Sequence, residues 1–354
     1  MIQPVRHVLI ACLTEGADGQ CAQQILDVVR PDNRSASSRR FGDRLLTVWG
    51  GERGGELDDK LVDQVEALPG VRRAFALRDG ARLHSHWPLG GGTEVELGRS
   101  AAIGRGLVVI AGPCTVETED QVVETAERVA AAGAKALRGG IFKPRTSPYS
   151  FAGLGERGLE YLGRARERSG LPVVSEVLEP AQLDLMAEHV DMLQIGSRNM
   201  HNSALLFQVG AHPKGRPVLL KRGFGATIDE LLDAAEYVLL GRLAAGHDRP
   251  GLVLCERGVR SFEPTAPFTL DPAVVPTLRE RCQLPVIVDP SHAARSRELV
   301  VPLARSALAA GADGLIVEVH PDPPEAWCDG HHCLDLDSFQ HLMTECGITE
   351  RGVG

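Results

Sequence analysis

Short apolar runs alternate with amphipathic segments through the last two thirds of the chain. Eight runs rich in Val, Ile and Leu lie at 107–110, 135–137, 172–175, 191–195, 217–220, 251–254, 285–288 and 314–317. Between them, apolar residues recur at helical spacing in segments such as 118–132, 156–168, 228–243 and 297–310. Continuous apolar strands that alternate with helices are typical of parallel strands buried on both faces.

Eight such units in succession predict an α/β fold, a (β/α)8 TIM barrel over residues 98–345. A doubly wound open sheet is the alternative architecture. No glycine-rich dinucleotide loop or Walker-type loop follows any of the runs, which weakens that alternative.

Residues 1–97 show a different order of elements. Strand-like runs at 7–13, 44–48 and 71–77 alternate with helix-like segments at 21–29 and 57–68. This pattern predicts a small α+β domain of the ferredoxin-like or ACT-like type. We further expect a mobile loop at 34–40, a joint at glycines 90–92, a short hairpin between 93–97 and 101–103 below the barrel, and a C-terminal tail at 346–354.

Composition limits the cellular setting of the chain. A formal net charge of −9 over 354 residues argues against a general surface for nucleic acid or anionic membranes. No apolar stretch approaches the roughly 20 residues of a membrane span, and the run 8–13 is too short for a signal peptide. The 8 cysteines are dispersed, which indicates reduced thiols. We therefore expect a cytoplasmic protein without nucleic-acid or membrane partners.

A local excess of positive charge stands out in this acidic chain. Between Leu137 and Gly155 lie Arg138, Lys143 and Arg145, but no carboxylate. Further cations follow the ends of later strands at positions 198, 221 and 257. Because the C-terminal ends of barrel strands meet at one rim, these groups predict a site for an anionic small molecule.

Potential metal ligands follow the ends of other strands. They are Cys114, His292, Glu318 and Asp329. One thiolate, one imidazole and two carboxylates suit a divalent transition ion such as Mn, Fe, Co or Zn better than magnesium. The choice among ligands stays open, because Asp322, Glu325, His320, His331 and His332 lie close in sequence.

The strand-end motifs resemble those of the 3-deoxy-D-arabino-heptulosonate-7-phosphate (DAHP) synthase family. The matching segments are Ala-Gly-Pro-Cys at 111–114, Lys-Pro-Arg-Thr-Ser at 143–147, Gly-Leu-Gly-Glu-Arg-Gly-Leu at 153–159, Leu-Leu-Lys-Arg-Gly at 219–223, Cys-Glu-Arg-Gly at 255–258, Asp-Pro-Ser-His at 289–292 and Glu-Val-His-Pro at 318–321. The likeness covers 98–345 and is nearest to the type I beta subfamily, which carries an N-terminal ferredoxin-like domain. Ser197 departs from the alanine that the family often has.

The resemblance implies the condensation of phosphoenolpyruvate with erythrose 4-phosphate and release of phosphate, the first step of the shikimate pathway. It implies one divalent ion held by the four ligands named above. Phosphoenolpyruvate would contact Arg138, Lys143, Arg198, Lys221 and Arg257. Erythrose 4-phosphate would contact Pro144, Arg145, Thr146, Ser147 and Asp289.

The expected catalytic residues are Lys143, Asp289 and His292. Lys143 would protonate the new alkoxide, with a pKa lowered by the cations around it. Asp289 would orient a water, a metal ligand or the aldose hydroxyls, although capping of the following turn explains it nearly as well.

Two other functions stay open. One is 3-deoxy-D-manno-octulosonate-8-phosphate synthase, which uses arabinose 5-phosphate and resembles Lys-Ala-Asn-Arg-Ser at the loop where this chain has Lys-Pro-Arg-Thr-Ser. The pair Pro144-Arg145 favours the shorter sugar. The other is a catalytically silent barrel that binds anions or metal.

The resemblance also bears on assembly and regulation. The N-terminal domain would bind tyrosine or phenylalanine as an effector, or serve only to assemble a homotetramer or homodimer. Cys328 and Cys333 flank the proposed ligand loop, either as inert thiols or with one of the two able to pair with Cys114 when metal is lost.

Overall fold

The N-terminal part of the chain folds into one antiparallel sheet with two helices. The computed structural model describes residues 7–29, 36–49, 57–98, 101–263 and 265–348. Strands β1 (Val8–Leu13), β2 (Ser37–Phe41), β3 (Leu45–Trp49) and β4 (Val71–Leu77) lie in the order β2-β3-β1-β4, with helices α1 (Gly19–Val29) and α2 (Asp59–Glu66). The predicted ferredoxin-like fold is confirmed. The expected mobile loop is wrong from residue 37, because β2 pairs with β3 there, and residues 34 and 35 lie outside the described ranges.

Both faces of the central strand β1 are buried. Leu9, Ala11 and Leu13 of β1 pack in one apolar cluster with residues of α1 and α2. Ile10 and Cys12, on the opposite face, belong to the large cluster that continues into the barrel. Side chains of a strand alternate between faces, so a fully apolar β1 is what a doubly covered strand requires.

A short hairpin precedes the barrel, as expected. Its strands are β5 (Val95–Leu97) and β6 (Ala101–Ile103). Eight parallel strands then close into a barrel: β7 (Val108–Gly112), β8 (Ala136–Arg138), β9 (Val173–Glu176), β10 (Met192–Ile195), β11 (Val218–Lys221), β12 (Leu252–Glu256), β13 (Val286–Val288) and β14 (Gly314–Glu318). The predicted TIM barrel is confirmed.

One helix follows each barrel strand. These helices are α3 (Glu119–Ala131), α4 (Glu156–Ser169), α5 (Leu183–His189), α6 (Ser203–Ala211), α7 (Ile228–Ala245), α8 (Val274–Arg281), α9 (Val300–Ala309) and α10 (Leu336–Glu345). Among the described residues, no helix combines the length and apolarity that crossing a membrane would need. The tail expected from residue 346 lies outside the described residues from 349 onward.

Helix α7 joins the small sheet to the barrel. It begins with a reciprocal capping box between Thr227 and Glu230. On its outer side Glu236 accepts the backbone N–H groups of Leu83 and His84 at 3.1 and 2.8 Å. The segment that leaves β4 is therefore tied along α7, the helix that directly follows β11.

The interior of the barrel changes from apolar to charged along the strands. The lower positions are apolar and the hairpin closes them from below; they include Val108, Ile110, Ala136, Val174, Met192, Leu219, Val253, Cys255, Ile287 and Ile316. Because strand side chains alternate, the residue two places further on faces inward again. Those upper positions are Arg138, Glu176, Gln194, Lys221, Arg257, Asp289 and Glu318. The alternation of side chains along each strand therefore places a layer of charged and polar residues above a layer of apolar ones.

Candidate functional site

Two adjoining clefts open at the C-terminal ends of the strands. The inner cleft is lined by Arg138, Glu176, Gln194, Ser197 and Lys221 among others. The outer, wider cleft is lined by Arg145, Thr146, Ser147, Phe268 and Asp329 among others. Both share Lys143, Pro144, Arg198, Phe224, Arg257 and His292. The sequence-predicted cations therefore meet around one continuous space.

Arg138 has unused donors at the bottom of the inner cleft. Its Nη2 donates to the carbonyl oxygen of Cys114 at 3.3 Å, and its Nη1 lies 3.1 Å from Oε1 of Glu318. Nevertheless, Nε and Nη1 have no hydrogen-bond partner among the described residues. Buried guanidinium N–H groups without acceptors are costly, so they suit an anion in the cleft.

Asp289 holds two other residues of the site in place. Its Oδ2 accepts from Lys221 Nζ at 2.5 Å and from His292 Nδ1 at 2.7 Å, while Oδ1 accepts the backbone N–H of His292. The carboxylate is fully buried and is not among the described residues that line either cleft. The expected contact of Asp289 with the aldose stays a prediction, whereas its hydrogen bonds show that it orients Lys221 and His292.

Two other cations of the inner cleft, Arg198 and Arg257, contact aromatic rings. The Arg257 guanidinium lies 4.0 Å from the ring centre of Phe268 and 5.1 Å from that of Phe224. Arg198 approaches the same Phe224 ring at 5.2 Å. Cation–π contacts of this kind fix the two guanidinium planes without neutralising them.

The four predicted metal ligands lie close together. Their atoms belong to two overlapping groups that share Asp329: one with His292, Glu318 and His332, the other with Cys114 and Cys328. Cys114 Sγ lies 3.2 Å from Asp329 Oδ2, and His292 Nε2 lies 3.4 Å from Glu318 Oε1. Residues 114 and 329, far apart in sequence, thus meet with the imidazole at one rim.

These ligands fit a divalent transition ion. Glu318 is fully buried, and its Oε1 accepts no hydrogen bond from any described residue. Because a carboxylate can only accept, Asp289 fixes the proton of His292 on Nδ1 and leaves Nε2 with its lone pair. Burial lowers the pKa of His292 to about 4, so the imidazole is neutral, the form that binds metal, near pH 7.

Lys143 lies among anions rather than cations. Its Nζ donates to Cys114 Sγ at 2.7 Å and lies 3.0 Å from Asp329 Oδ2. Burial would lower the pKa of Lys143, but the negative charges of Cys114, Glu318 and Asp329 outweigh it and raise the pKa well above its ordinary value. The expectation of a lowered pKa is therefore wrong.

The loop that carries Asp329 is fixed from outside the clefts. Asp329 itself has a left-handed backbone, with φ 55°, which a non-glycine residue adopts rarely. A Cβ at Gly330 would lie 2.1 Å from a backbone oxygen. Glu117 accepts the backbone N–H of Trp327 at 2.9 Å and contacts His320 Nε2 at 3.2 Å. These contacts hold the ligand loop over the end of β14.

The loop expected to bind the sugar phosphate borders the outer cleft. Thr146 and Ser147 are exposed, and Arg198 Nη2 donates to Thr146 Oγ1 at 3.4 Å. Arg145 Nη1 donates to Cys328 Sγ, which links this loop to the ligand loop. The predicted residues from Pro144 to Ser147 therefore share the wider part of the mouth with Asp329.

Sequence reasoning missed several residues of the clefts. Glu176 and Gln194 line the inner cleft. They lie two residues after the inward-facing Val174 and Met192, so the alternation of side chains along a strand could have indicated them. His332, left open as an alternative ligand, contacts Glu318 Oε2 at 2.9 Å. Phe224 and Phe268 had no sequence signal, because an aromatic residue in a loop is compatible with many roles.

Comparison with known sequences agrees with this geometry. A model described as the DAHP synthetase I family matches residues 92–350. The phospho-2-dehydro-3-deoxyheptonate aldolase of Thermotoga maritima is 45% identical over 291 residues, which cover 81% of this chain and 83% of that protein. A 2-dehydro-3-deoxyphosphooctonate aldolase of Nitratidesulfovibrio vulgaris is more distant, 36% identical over 67% of this chain and 89% of its own.

Solved structures give the same relationship. The crystal structure of phospho-2-dehydro-3-deoxyheptonate aldolase (DAHP synthase) from Thermotoga maritima matches with a TM-score of 0.72 and 39% identity, covering 96% of both chains. A truncated form of 3-deoxy-D-arabino-heptulosonate 7-phosphate synthase from the same organism matches with a TM-score of 0.65 and 44% identity, over 72% of this chain and 91% of that one. The chain described here therefore belongs to the DAHP synthetase I family.

Proposed function

We propose that this chain condenses phosphoenolpyruvate with erythrose 4-phosphate and one water, which adds at C2 of phosphoenolpyruvate, giving 3-deoxy-D-arabino-heptulosonate 7-phosphate and phosphate. The observation that carries the proposal is the pair of adjoining clefts, rich in cations and bordered by a cluster of transition-metal ligands. The two substrates carry two phosphates and a carboxylate between them. Family membership and the Thermotoga maritima relative named for this product support the same reaction.

The inner cleft suits phosphoenolpyruvate. In this proposal its carboxylate and phosphate contact Arg138, Lys143, Arg198, Lys221 and Arg257. Support comes from the Nε and Nη1 atoms of Arg138, which donate no hydrogen bond to a described residue, and from the buried Lys221, which Asp289 fixes. Fixed cations in a water-poor cleft stabilise developing negative charge better than mobile ones.

The outer cleft suits the aldose phosphate. Pro144, Arg145, Thr146 and Ser147 would hold the distal phosphate of erythrose 4-phosphate, with two hydroxyls and one guanidinium as donors. The aldehyde end would then point to the shared wall at Lys143 and His292. This arrangement places the two reacting carbons between the clefts.

The proposed ion site consists of Cys114, His292, Glu318 and Asp329, holding one Mn, Fe, Co or Zn ion. A bound ion would supply Lewis-acid polarisation of the aldehyde oxygen. Lys143 would donate the proton from Nζ to the new hydroxyl oxygen once C3 of phosphoenolpyruvate has bonded to the aldehyde carbon. Asp289 would act as a positioning residue for His292 and Lys221, and contact with the aldose hydroxyls is its second proposed role.

Phosphate release tests the proposal. The chain is stripped with a chelator, reloaded with Mn, Fe, Co or Zn, and assayed with phosphoenolpyruvate plus either erythrose 4-phosphate or arabinose 5-phosphate. We expect no turnover without ion, recovery with it, and a preference for the shorter sugar. Lys221→Met should abolish turnover, whereas Lys214→Met, at an exposed lysine paired with Glu188, should not.

Other results of the phosphate-release assay would support different conclusions. A preference for arabinose 5-phosphate would support the octulosonate reaction, which the relative from Nitratidesulfovibrio vulgaris is named for. Binding of phosphoenolpyruvate without turnover of either sugar would indicate a silent anion-binding or metal-binding barrel. Full activity after complete removal of metal would contradict the ion's role.

In this proposal residues 98–345 carry out catalysis, residues 1–97 serve regulation or assembly, and residues 346–354 form a C-terminal tail. Packing of the small sheet against the barrel and its ties to α7 support a coupled regulatory unit. We expect tyrosine or phenylalanine to inhibit the full chain, and a homotetramer or homodimer in solution. Activity titrations with both amino acids and sedimentation analysis test these points.

A further inference from the structure

A second buried thiol lies beside the proposed ion site. Cys328 Sγ is 3.6 Å from Cys114 Sγ, and Cys328 directly precedes Asp329. Ligand atoms of Cys114, Cys328 and Asp329 all lie within 4.8 Å of one another. The ligand set that the resemblance implies includes only the first and the last of these three.

The separation of the two sulfurs matches a shared ion. With metal–sulfur distances near 2.3 Å and tetrahedral angles, two thiolates on one zinc ion are about 3.8 Å apart. A disulfide would need about 2.05 Å. The observed 3.6 Å between Cys114 Sγ and Cys328 Sγ lies close to the first value.

Nearby cations accommodate the charge of a second thiolate. Arg145 Nη1 donates to Cys328 Sγ, and Lys143 Nζ donates to Cys114 Sγ. Arg138 pairs with Glu318 on the other side of the site. Three fixed cations and a divalent ion together carry five positive charges, against four on two thiolates and two carboxylates.

We propose that Cys328 is a second thiolate ligand of this ion, so that the site selects a thiophilic ion such as Zn²⁺ or Co²⁺ over Mn²⁺. Soft thiolate ligands favour zinc, whereas oxygen ligands suit manganese. The inference rests on the proposed ion site, and it adds a ligand and a preference to it. His332 is a weaker candidate for the additional ligand, since its Nε2 is engaged by Glu318.

Cobalt spectroscopy on the full-length chain tests the inference directly. Metal-free, reduced protein is titrated with Co²⁺, and the thiolate-to-cobalt charge-transfer absorbance is read at saturation. We expect Cys328→Ser to lose about half of the wild-type absorbance and Cys114→Ser a similar share, because each thiolate contributes one set of transitions. Cys333→Ser, a buried thiol in the same loop, is the matched control and should leave the absorbance unchanged.

Competition between ions gives a second readout. Wild-type protein dialysed against equal Zn²⁺ and Mn²⁺ should retain zinc, and Cys328→Ser should lower this preference by roughly tenfold or more. Cys328→Ala should behave like the serine variant if ligation, and not side-chain volume, is responsible. Circular dichroism establishes that each variant is folded.

The outcomes separate this inference from the proposed function. Unchanged absorbance and zinc preference in folded Cys328→Ser, with loss in Cys114→Ser, would overturn the inference and leave the four-ligand site intact. Absence of a charge-transfer band in every variant, together with activity that needs no ion, would overturn the ion site itself. A count of six free thiols after denaturation in chelator, where the sequence has 8 cysteines, together with seven in Cys328→Ser, would indicate a disulfide of Cys328 and refute its ligation of the ion.

Discussion

Replacing Asp289 by asparagine removes the charge that orders the centre of the site. The carboxylate receives Lys221 Nζ and His292 Nδ1 on one oxygen and the backbone N–H of His292 on the other. An amide of the same shape keeps one acceptor but turns an NH₂ group toward one of these donors. His292 can relieve the clash only by moving its proton to Nε2, the atom that would bind the ion.

Two losses of different size follow from this geometry. Leaving Lys221 buried without its partner should cost about 3–5 kcal/mol of stability. Loss of the carboxylate behind His292 should weaken ion binding by roughly 10- to 100-fold. Thermal unfolding measures the first effect, and titration against a competing chelator measures the second.

A matched substitution separates the two effects. Glu256→Gln breaks another fully buried ion pair, in which Glu256 Oε2 lies 3.0 Å from Arg222 Nη1, and neither residue lines the two clefts. It should lower stability by a comparable amount while ion affinity stays the same. Equal ion affinity in Asp289→Asn and wild type would refute the assignment of Asp289 as the residue that orients His292.

Three further predictions concern Glu236, Phe224 and Gly330. Burial raises the pKa of Glu236 to about 7, so its carboxyl group is protonated in the folded chain but ionised in the unfolded chain between about pH 4.5 and 7. The free energy of unfolding should therefore fall by on the order of 3 kcal/mol as the pH rises through that window, and it should stay constant above it. Denaturant titrations at several pH values should show this fall in the wild type and a much smaller one in Glu236→Gln. Phe224→Leu removes the ring next to Arg257 and should raise the KM for phosphoenolpyruvate about tenfold with a smaller change in kcat; steady-state kinetics with an unchanged KM would contradict this. Gly330→Ala would bring a Cβ within 2.1 Å of the Pro323 backbone oxygen, so the loop that carries Asp329 should shift and ion affinity should fall in a chelator titration. An unchanged ion affinity would mean that the loop accommodates the methyl group without displacing Asp329.

Hydrophobic periodicity was sufficient to predict the barrel, because each buried parallel strand forms a continuous apolar run between helical segments. The same signal failed for β2, whose sequence Ser-Ser-Arg-Arg-Phe is polar because it is an edge strand and mostly exposed. Edge strands are held by backbone pairing, which leaves little trace in side-chain pattern.

The sequence was sufficient to predict that the candidate ligands and cations meet, because they follow the ends of barrel strands and those ends share one rim. Their roles as metal ligands and substrate contacts stay predictions. The environment of Lys143 could not be predicted, since its pKa depends on which charges lie within a few ångströms. The full engagement of Asp289 likewise became visible only in three dimensions.

The alternation that puts charged groups above the apolar layer also restricts how this chain can change in length. Adding or deleting one residue inside β8 would turn Arg138 toward the helices and its neighbour toward the cavity. Adding or deleting one residue in the loop after β8 leaves the direction of the β8 side chains unchanged. Insertions and deletions among related chains should accordingly gather in the connecting segments, while the spacing from each strand's apolar residues to its charged end stays fixed.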